Sequence, residues 1–239
     1  MRHAGIFITL VALLAPATAP ARTEGHVAQR AFLYEEDASN PKGQRYPGTV
    51  VWCLNRTRAD DGTDDVEILG KVDIAAHRLK MIMSLRRNVD ATLPASHVIE
   101  LKFSLPADFN GGGISLVPGI MMKSKESAKG APLMAQAVKV TDGRFMIGLA
   151  GAARYRVGNV ESLAHREWFD LPLFYKTQRR GILAIEKGIS GRQVFLAAFA
   201  AWGETAASTS PKSALNPPRC AQGVASRPSN GKQGQARKA

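Results

Sequence analysis

The side chains with the most chemical promise are two arginine pairs, Arg86-Arg87 and Arg179-Arg180. A guanidinium group presents its N–H donors as a planar fork that fits carboxylate, phosphate or sulfate. Each pair falls at the end of a strand pattern, so their convergence would build an anion-binding site. The competing expectation is four surface arginines paired with Asp90, Asp170 or Glu186, where each pair contributes little. Cys53 and Cys220 come next, as the two cysteines of the chain. They form one disulfide closing a long loop, or they remain two thiols with Cys53 buried in a strand. Spacing leaves both open.

Other reactive types are present without a recognisable arrangement. Ser96-His97 with Asp90 upstream has the composition of a hydrolase triad, but strand neighbours point to opposite faces and are not expected to meet. Gly113-Ile-Ser115-Leu-Val117 lacks the last glycine of a nucleophile elbow. A Cys53 thiol with His77 or His97 is a further nucleophile pattern. His26, His77, His97 and His165 are scattered, without zinc-ligand spacing. The acidic run Asp60 to Asp65 departs from the calcium-loop pattern and reads as a solvated hairpin loop. Glu35-Glu36-Asp37 and Glu186 supply carboxylates, but their separation in space decides glycoside chemistry. Asn110-Gly-Gly-Gly113 reads as a flexible turn. No catalytic residue, no metal and no cofactor are expected from these patterns.

Charge and export narrow the partner classes. The chain of 239 residues carries 32 basic against 20 acidic residues, for a net charge of +12. Residues 204–239 hold six basic residues and one acidic, and a basic surface attracts anionic partners. The N-terminus has a basic start at Arg2, an uncharged apolar run from Ala4 to Leu14, and Ala-x-Ala sites ending at Ala19 and Ala21. That is the three-part pattern of a signal peptide over residues 1–21. The apolar run is too short to span a bilayer, and no other stretch suffices, so no transmembrane segment is expected in the mature chain. Export makes nucleic acid a poor partner. It favours the periplasm or the outside, where disulfides persist.

The elements that must position these residues read mostly as strands. Ile99, Leu101, Phe103 and Leu105 alternate with Glu100, Lys102 and Ser104, and the same period of two runs through Val66–Ile74 and Leu79–Arg86. Thr49–Leu54 is rich in β-formers. Asp142-Gly143 marks a hairpin between Ala137–Val140 and Arg144–Leu149. Asn40-Pro-Lys-Gly43 marks a turn after a first strand at Ala31–Glu35, and Phe169–Tyr175 pairs with Arg180–Lys187. Two helices are expected, one over Arg154–Arg166. The other opens on a Ser190–Gln193 capping box and carries a core stripe of Phe195, Ala198, Phe199 and Trp202 before Gly203. After Gly203 the composition is too polar to offset ordering entropy, so 204–239 reads as a disordered basic tail.

Several of these segments also resemble a known kind of protein. Leu79 to His97, Asn110-Gly-Gly-Gly with Val117-Pro-Gly-Ile120, the Ala137–Gly143 hairpin and Gln178 to Gly188 together resemble a domain of uncharacterised exported proteins from soil and plant-associated bacteria. The resemblance spans roughly Ala28 to Trp202. It implies export and a single domain, and no functional residue carries over from it. The expectation is therefore a mainly β domain over 22–203, an antiparallel β-sandwich first and a β-barrel second, with one or two packing helices. Its expected role is non-enzymatic binding of a partner protein or an anionic envelope component. A hydrolase with an unrecognised site and an accessory subunit of an envelope assembly are the alternatives.

Overall fold

Half-buried strands with alternating apolar residues must lie in a sheet that covers a core on one face. The computed structural model describes residues 27–58, 62–204 and 217–221. In chain order its strands are β1 (Gln29–Asp37), β2 (Asn40–Arg58), β3 (Asp64–Ile74), β4 (Leu79–Arg87), β5 (Ala95–Ser104), β6 (Ile114–Leu116), β7 (Met121–Lys123), β8 (Ala131–Pro132), β9 (Ala135–Thr141), β10 (Arg144–Ala150), β11 (Trp168–Tyr175) and β12 (Arg180–Glu186). The helices are α1 (Ala153–His165) and α2 (Gly188–Ala201), and a 3-10 turn covers Ala75–His77. The expected mainly β, antiparallel character holds. The strands form one continuous sheet, in the order β8-β7-β11-β12-β1-β2-β3-β4-β5-β10-β9, and β6 lies beside β11. It curls into a half-barrel.

The concave face is the core side. Trp52, on the concave face of β2, is where α2 docks. Its ring lies 5.3 Å from Phe195 and 5.7 Å from Phe169, and its indole N–H donates to the Glu186 carbonyl at 2.8 Å. Gly70 on β3 and Gly191 on α2 make room for this ring. A Cβ at either would lie 2.5 Å or 2.8 Å from its atoms. The stripe of Phe195, Ala198, Phe199 and Trp202 is buried as its spacing predicts. Lys187, which precedes α2, is fully buried. Its ammonium donates to the Leu163 and Ala164 carbonyls at 2.8 and 3.0 Å, satisfying the C-terminal end of α1 where the helix dipole favours a cation. Desolvation brings Lys187 down to about 8.

Two local expectations are corrected. The helix α2 begins at Gly188, not at Ser190. The positive φ of Gly188 (57°) turns the chain out of β12, and Ser190 is buried inside the first turn, making no cap hydrogen bond. The first hairpin turns at Ala38–Ser39, where the Asp37 carboxylate accepts from the Ser39 N–H at 2.9 Å and from its hydroxyl at 2.6 Å. The Asn40–Gly43 segment already belongs to β2. Residues 1–21, where a signal peptide is expected, lie outside the described residues, as does the stretch after Gly203 apart from Glu204 and 217–221.

That last segment is tied to the sheet. Cys53 and Cys220 are joined in a disulfide with their Cα atoms 5.0 Å apart. β1 pairs with β2 only as far as Val50, which leaves the edge of β2 beyond it open. Pro218 to Cys220 fill that edge. The Leu54 N–H donates to the Pro218 carbonyl at 2.8 Å, and the Cys220 N–H donates to the Leu54 carbonyl at 3.2 Å. The Cys53 thiol nucleophile pattern is thereby overturned, because both sulfurs are consumed.

Candidate functional site

Strand alternation sends neighbouring residues of β1 to opposite faces of the sheet, and each face has a cleft. Glu35 points to the concave side, and Arg30, Phe32 and Tyr34 to the convex side. The concave cleft has a volume of about 300 Å³ and is lined by Glu36, Asp37, Gln44, Tyr46, Asn110 and Arg179. Behind it sits Glu35, whose side chain is 4% exposed. The His77 Nε2 is 3.4 Å from the Glu35 carboxylate, and the Arg179 guanidinium is 3.7 Å away. The His77 ring stands edge-on to Tyr46 at 4.2 Å and its Nε2 makes no hydrogen bond of good geometry. Burial, with the facing Glu35 carboxylate second, pushes the Tyr175 hydroxyl well above its ordinary range. Hydrogen bonds from Gln44 and Ser39 hold Asp37 down at about 2, so it stays ionised.

Register explains how residues so far apart in sequence meet. Glu35 pairs with Gln44 of β2 and with Gly181 of β12, and Tyr46 pairs with Leu33. Gly181 has a definite role. A Cβ there would lie 2.7 Å from the Tyr175 hydroxyl and 3.0 Å from the Tyr34 carbonyl. Gly181→Ala is therefore expected to lower stability by about 1–3 kcal/mol through overpacking. The urea midpoint of the purified variant measures this, and an unchanged midpoint would refute the close packing of Tyr175 against Gly181.

The convex cleft has a volume of about 490 Å³ and is lined by Arg30, Tyr34, Lys125, Glu126, Ser127 and Trp168. Phe32 and Trp168 stack at 6.1 Å with their planes 14° apart. The Arg45 guanidinium lies 3.5 Å over Phe32, and that of Arg30 lies 5.1 Å over Trp168. Both cations keep much of their side chains in solvent, 60% for Arg30 and 49% for Arg45. Carboxylates fix their orientation. Arg30 bonds both oxygens of Glu186 at 2.8 Å, while Arg45 bonds Glu126 at 3.0 Å and Tyr34 at 3.1 Å. Tyr34 in turn donates to Glu126. Beneath them, Lys123 and Asp170 form a buried ion pair at 2.8 Å.

The two arginine pairs singled out from the sequence do not meet. Arg179 and Arg180 stand where β2 begins, Arg179 beside Glu35 and Arg180 bonded to Glu36 at 2.8 Å. Arg87 stands where β2 ends, 3.2 Å from Asp65, with Arg86 beside it on β4. From Gln44 to Arg56 the strand runs about 40 Å at the usual rise per residue. Only Arg179 lines a cleft. Asp65, read as part of a solvated loop, instead has its side chain largely buried and bonds Arg87 and the Trp202 indole; Asp60 and Asp61 lie outside the described residues.

Ser96 and His97 do meet, against expectation. The register of β5 against β10 shifts between Leu149 and Ala150, so Ser96 is the extra residue of a bulge. Its hydroxyl reaches within 3.2 Å of the His97 Nδ1. The other ring nitrogen is 3.5 Å from Glu204, which is bonded to Arg156. Asp90 takes no part, since it accepts from Thr92 in its own turn. His97 is 1% exposed and packs on Phe199 and Trp202, so no substrate reaches it.

Among the described residues no group of three or more His, Cys, Asp and Glu side chains is placed to hold a metal ion, and no helix is long and apolar enough to cross a membrane. Comparisons with protein-family models, curated proteins and solved structures find no match to this chain.

Proposed function

We propose that this chain is an exported, non-enzymatic β-domain that binds an anionic component of the cell envelope at its convex cleft. The observation that carries the reading is the pair of guanidinium groups set over Trp168 and Phe32, that of Arg30 lining the convex cleft beside Lys125 and that of Arg45 bonded to Tyr34 and Glu126 of its wall. Three cations there face two carboxylates, Glu126 and Glu186. Arginine stacked on an aromatic ring is already oriented, so less freedom is lost when an anion binds. The net charge of +12 adds long-range attraction. Export is supported by the N-terminal pattern and by the Cys53–Cys220 disulfide, a bond that persists in oxidising compartments.

The test uses the mature protein with polygalacturonate as the anionic probe and neutral dextran as the control. Binding to polygalacturonate should weaken as salt rises, because exposed charges are screened. Replacing Arg45 by Gln together with Lys125 by Ala should weaken it by about tenfold or more, each decade corresponding to about 1.4 kcal/mol. Equal binding to dextran, or full binding by the double variant, would refute the proposal.

A further inference from the structure

The concave cleft is separate from the convex one and has a different chemistry. An anion entering it meets the carboxylates of Glu36 and Asp37, and a cation meets Arg179. A neutral ligand rich in hydroxyl groups meets neither obstacle. A hydroxyl both donates and accepts, so its recognition needs planar groups of both kinds at close quarters. The cleft supplies them: the Arg179 guanidinium donates, the Asn110 amide does both, and the Asp37 carboxylate, which already accepts from Gln44 at 2.7 Å and from Ser39, is a further acceptor. Tyr46 completes the lining of this predominantly polar cleft. Its ring is held by His77, with the two planes nearly perpendicular and their centres 4.2 Å apart. A volume of about 300 Å³ lies at the small end of ligand sites, which run from about 300 to 1,000 Å³.

We infer that the concave cleft is a saccharide-binding site, taking a neutral sugar through the polar groups of Asp37, Gln44, Asn110 and Arg179. The arrangement is built, not incidental. Arg179 is anchored by the Glu36 carbonyl at 3.1 Å and by the buried Glu35. The Phe109–Asn110 turn is seated on Tyr175, 5.4 Å from Phe109. Gly111 permits that seat, since a Cβ there would lie 2.6 Å from Phe109 and 2.8 Å from Tyr175.

Saturation-transfer NMR on the mature protein tests this with three neutral probes, maltotriose, cellotriose and chitotriose. At least one should bind with a dissociation constant of about 1 mM or tighter, a free energy of about −4 kcal/mol. Asn110→Ala removes an exposed side chain and leaves the fold intact. It and Arg179→Met should each weaken binding about tenfold, the worth of one well-made hydrogen bond. The double variant of Arg45 and Lys125 should bind the sugar as the parent does, which separates this site from the convex one. Absence of binding by all three probes, or binding confined to charged saccharides, overturns the inference. So does undiminished affinity in Asn110→Ala.

Discussion

Replacing both Cys53 and Cys220 by alanine is expected to lower the stability of the domain by about 2–5 kcal/mol. The bond joins residues 167 apart, so its absence frees a very large loop in the unfolded chain. In the folded chain it holds Pro218 to Cys220 on the open edge of β2, where Leu54 makes two backbone hydrogen bonds to them. Without the bond that short segment has little else to hold it, because only Pro217 among its residues is buried. The edge of β2 beyond Val50 would then expose unpaired backbone groups, the feature that invites strand-to-strand association. Urea unfolding with and without reductant measures the effect. The parent should lose stability on reduction and the double variant should not respond. A parent midpoint indifferent to reductant would refute the expectation. Aggregation of the variant at concentrations where the parent stays dispersed would report the exposed edge separately.

The body of the sheet is legible in the sequence because its physics is local. Strands β3, β4 and β5 each bury one face along most of their length, so Val72 and Ile74, Met81 and Met83, and Ile99 and Leu101 stand out by alternation, whereas the burial of Glu67, Leu69, Ser84 and Val98 on the other face does not follow from it. The α2 stripe is legible for the same reason at the helical period. Turn positions fare less well, because Asp37 competes with the more conspicuous Pro41 and Gly43 and wins through its bonds to Ser39. The clefts are not legible. Glu35, His77 and the Tyr175–Arg179 turn come from three distant segments, and the β12-β1-β2-β3 order of the sheet brings them together. Arginine doublets drew attention by being adjacent in sequence, yet adjacency in a strand places two side chains on opposite faces. The arginines set over Trp168 and Phe32, Arg30 and Arg45, are single residues with no motif around them. Glycine offered a signal that could have been used. Gly111 and Gly181 sit where only a missing Cβ lets Phe109 and Tyr175 pack, and both flank the concave cleft.

Acidification from pH 6.5 to pH 4 should cost the domain about 3 kcal/mol through His97 alone, the product of a shift of ~2.5 pKa units and about 1.4 kcal/mol per unit. Burial is the main cause, lowering His97 from 6.5 to about 4. The charged groups around it pull both ways: Glu204 favours the imidazolium, while Arg156 and Arg87 oppose it. Ser96, Phe199 and Trp202 complete its surroundings with no charge. The sign follows from proton counting. Below pH 6.5 the unfolded chain takes up a proton on this histidine, and the folded chain does not until about pH 4. The contribution is thus complete above pH 6.5, declines through the window and is gone below it. Glu204 closes α2, its N–H bonded to the Phe199 carbonyl at 2.9 Å, so acid strain at His97 falls on the end of that helix. His97→Gln removes the titration while keeping a polar side chain opposite Ser96. Its unfolding free energy, measured in urea from pH 8 to pH 4, should start lower than that of the parent and fall less steeply. Parallel slopes through the window would show that His97 is not the group whose burial makes this fold sensitive to acid.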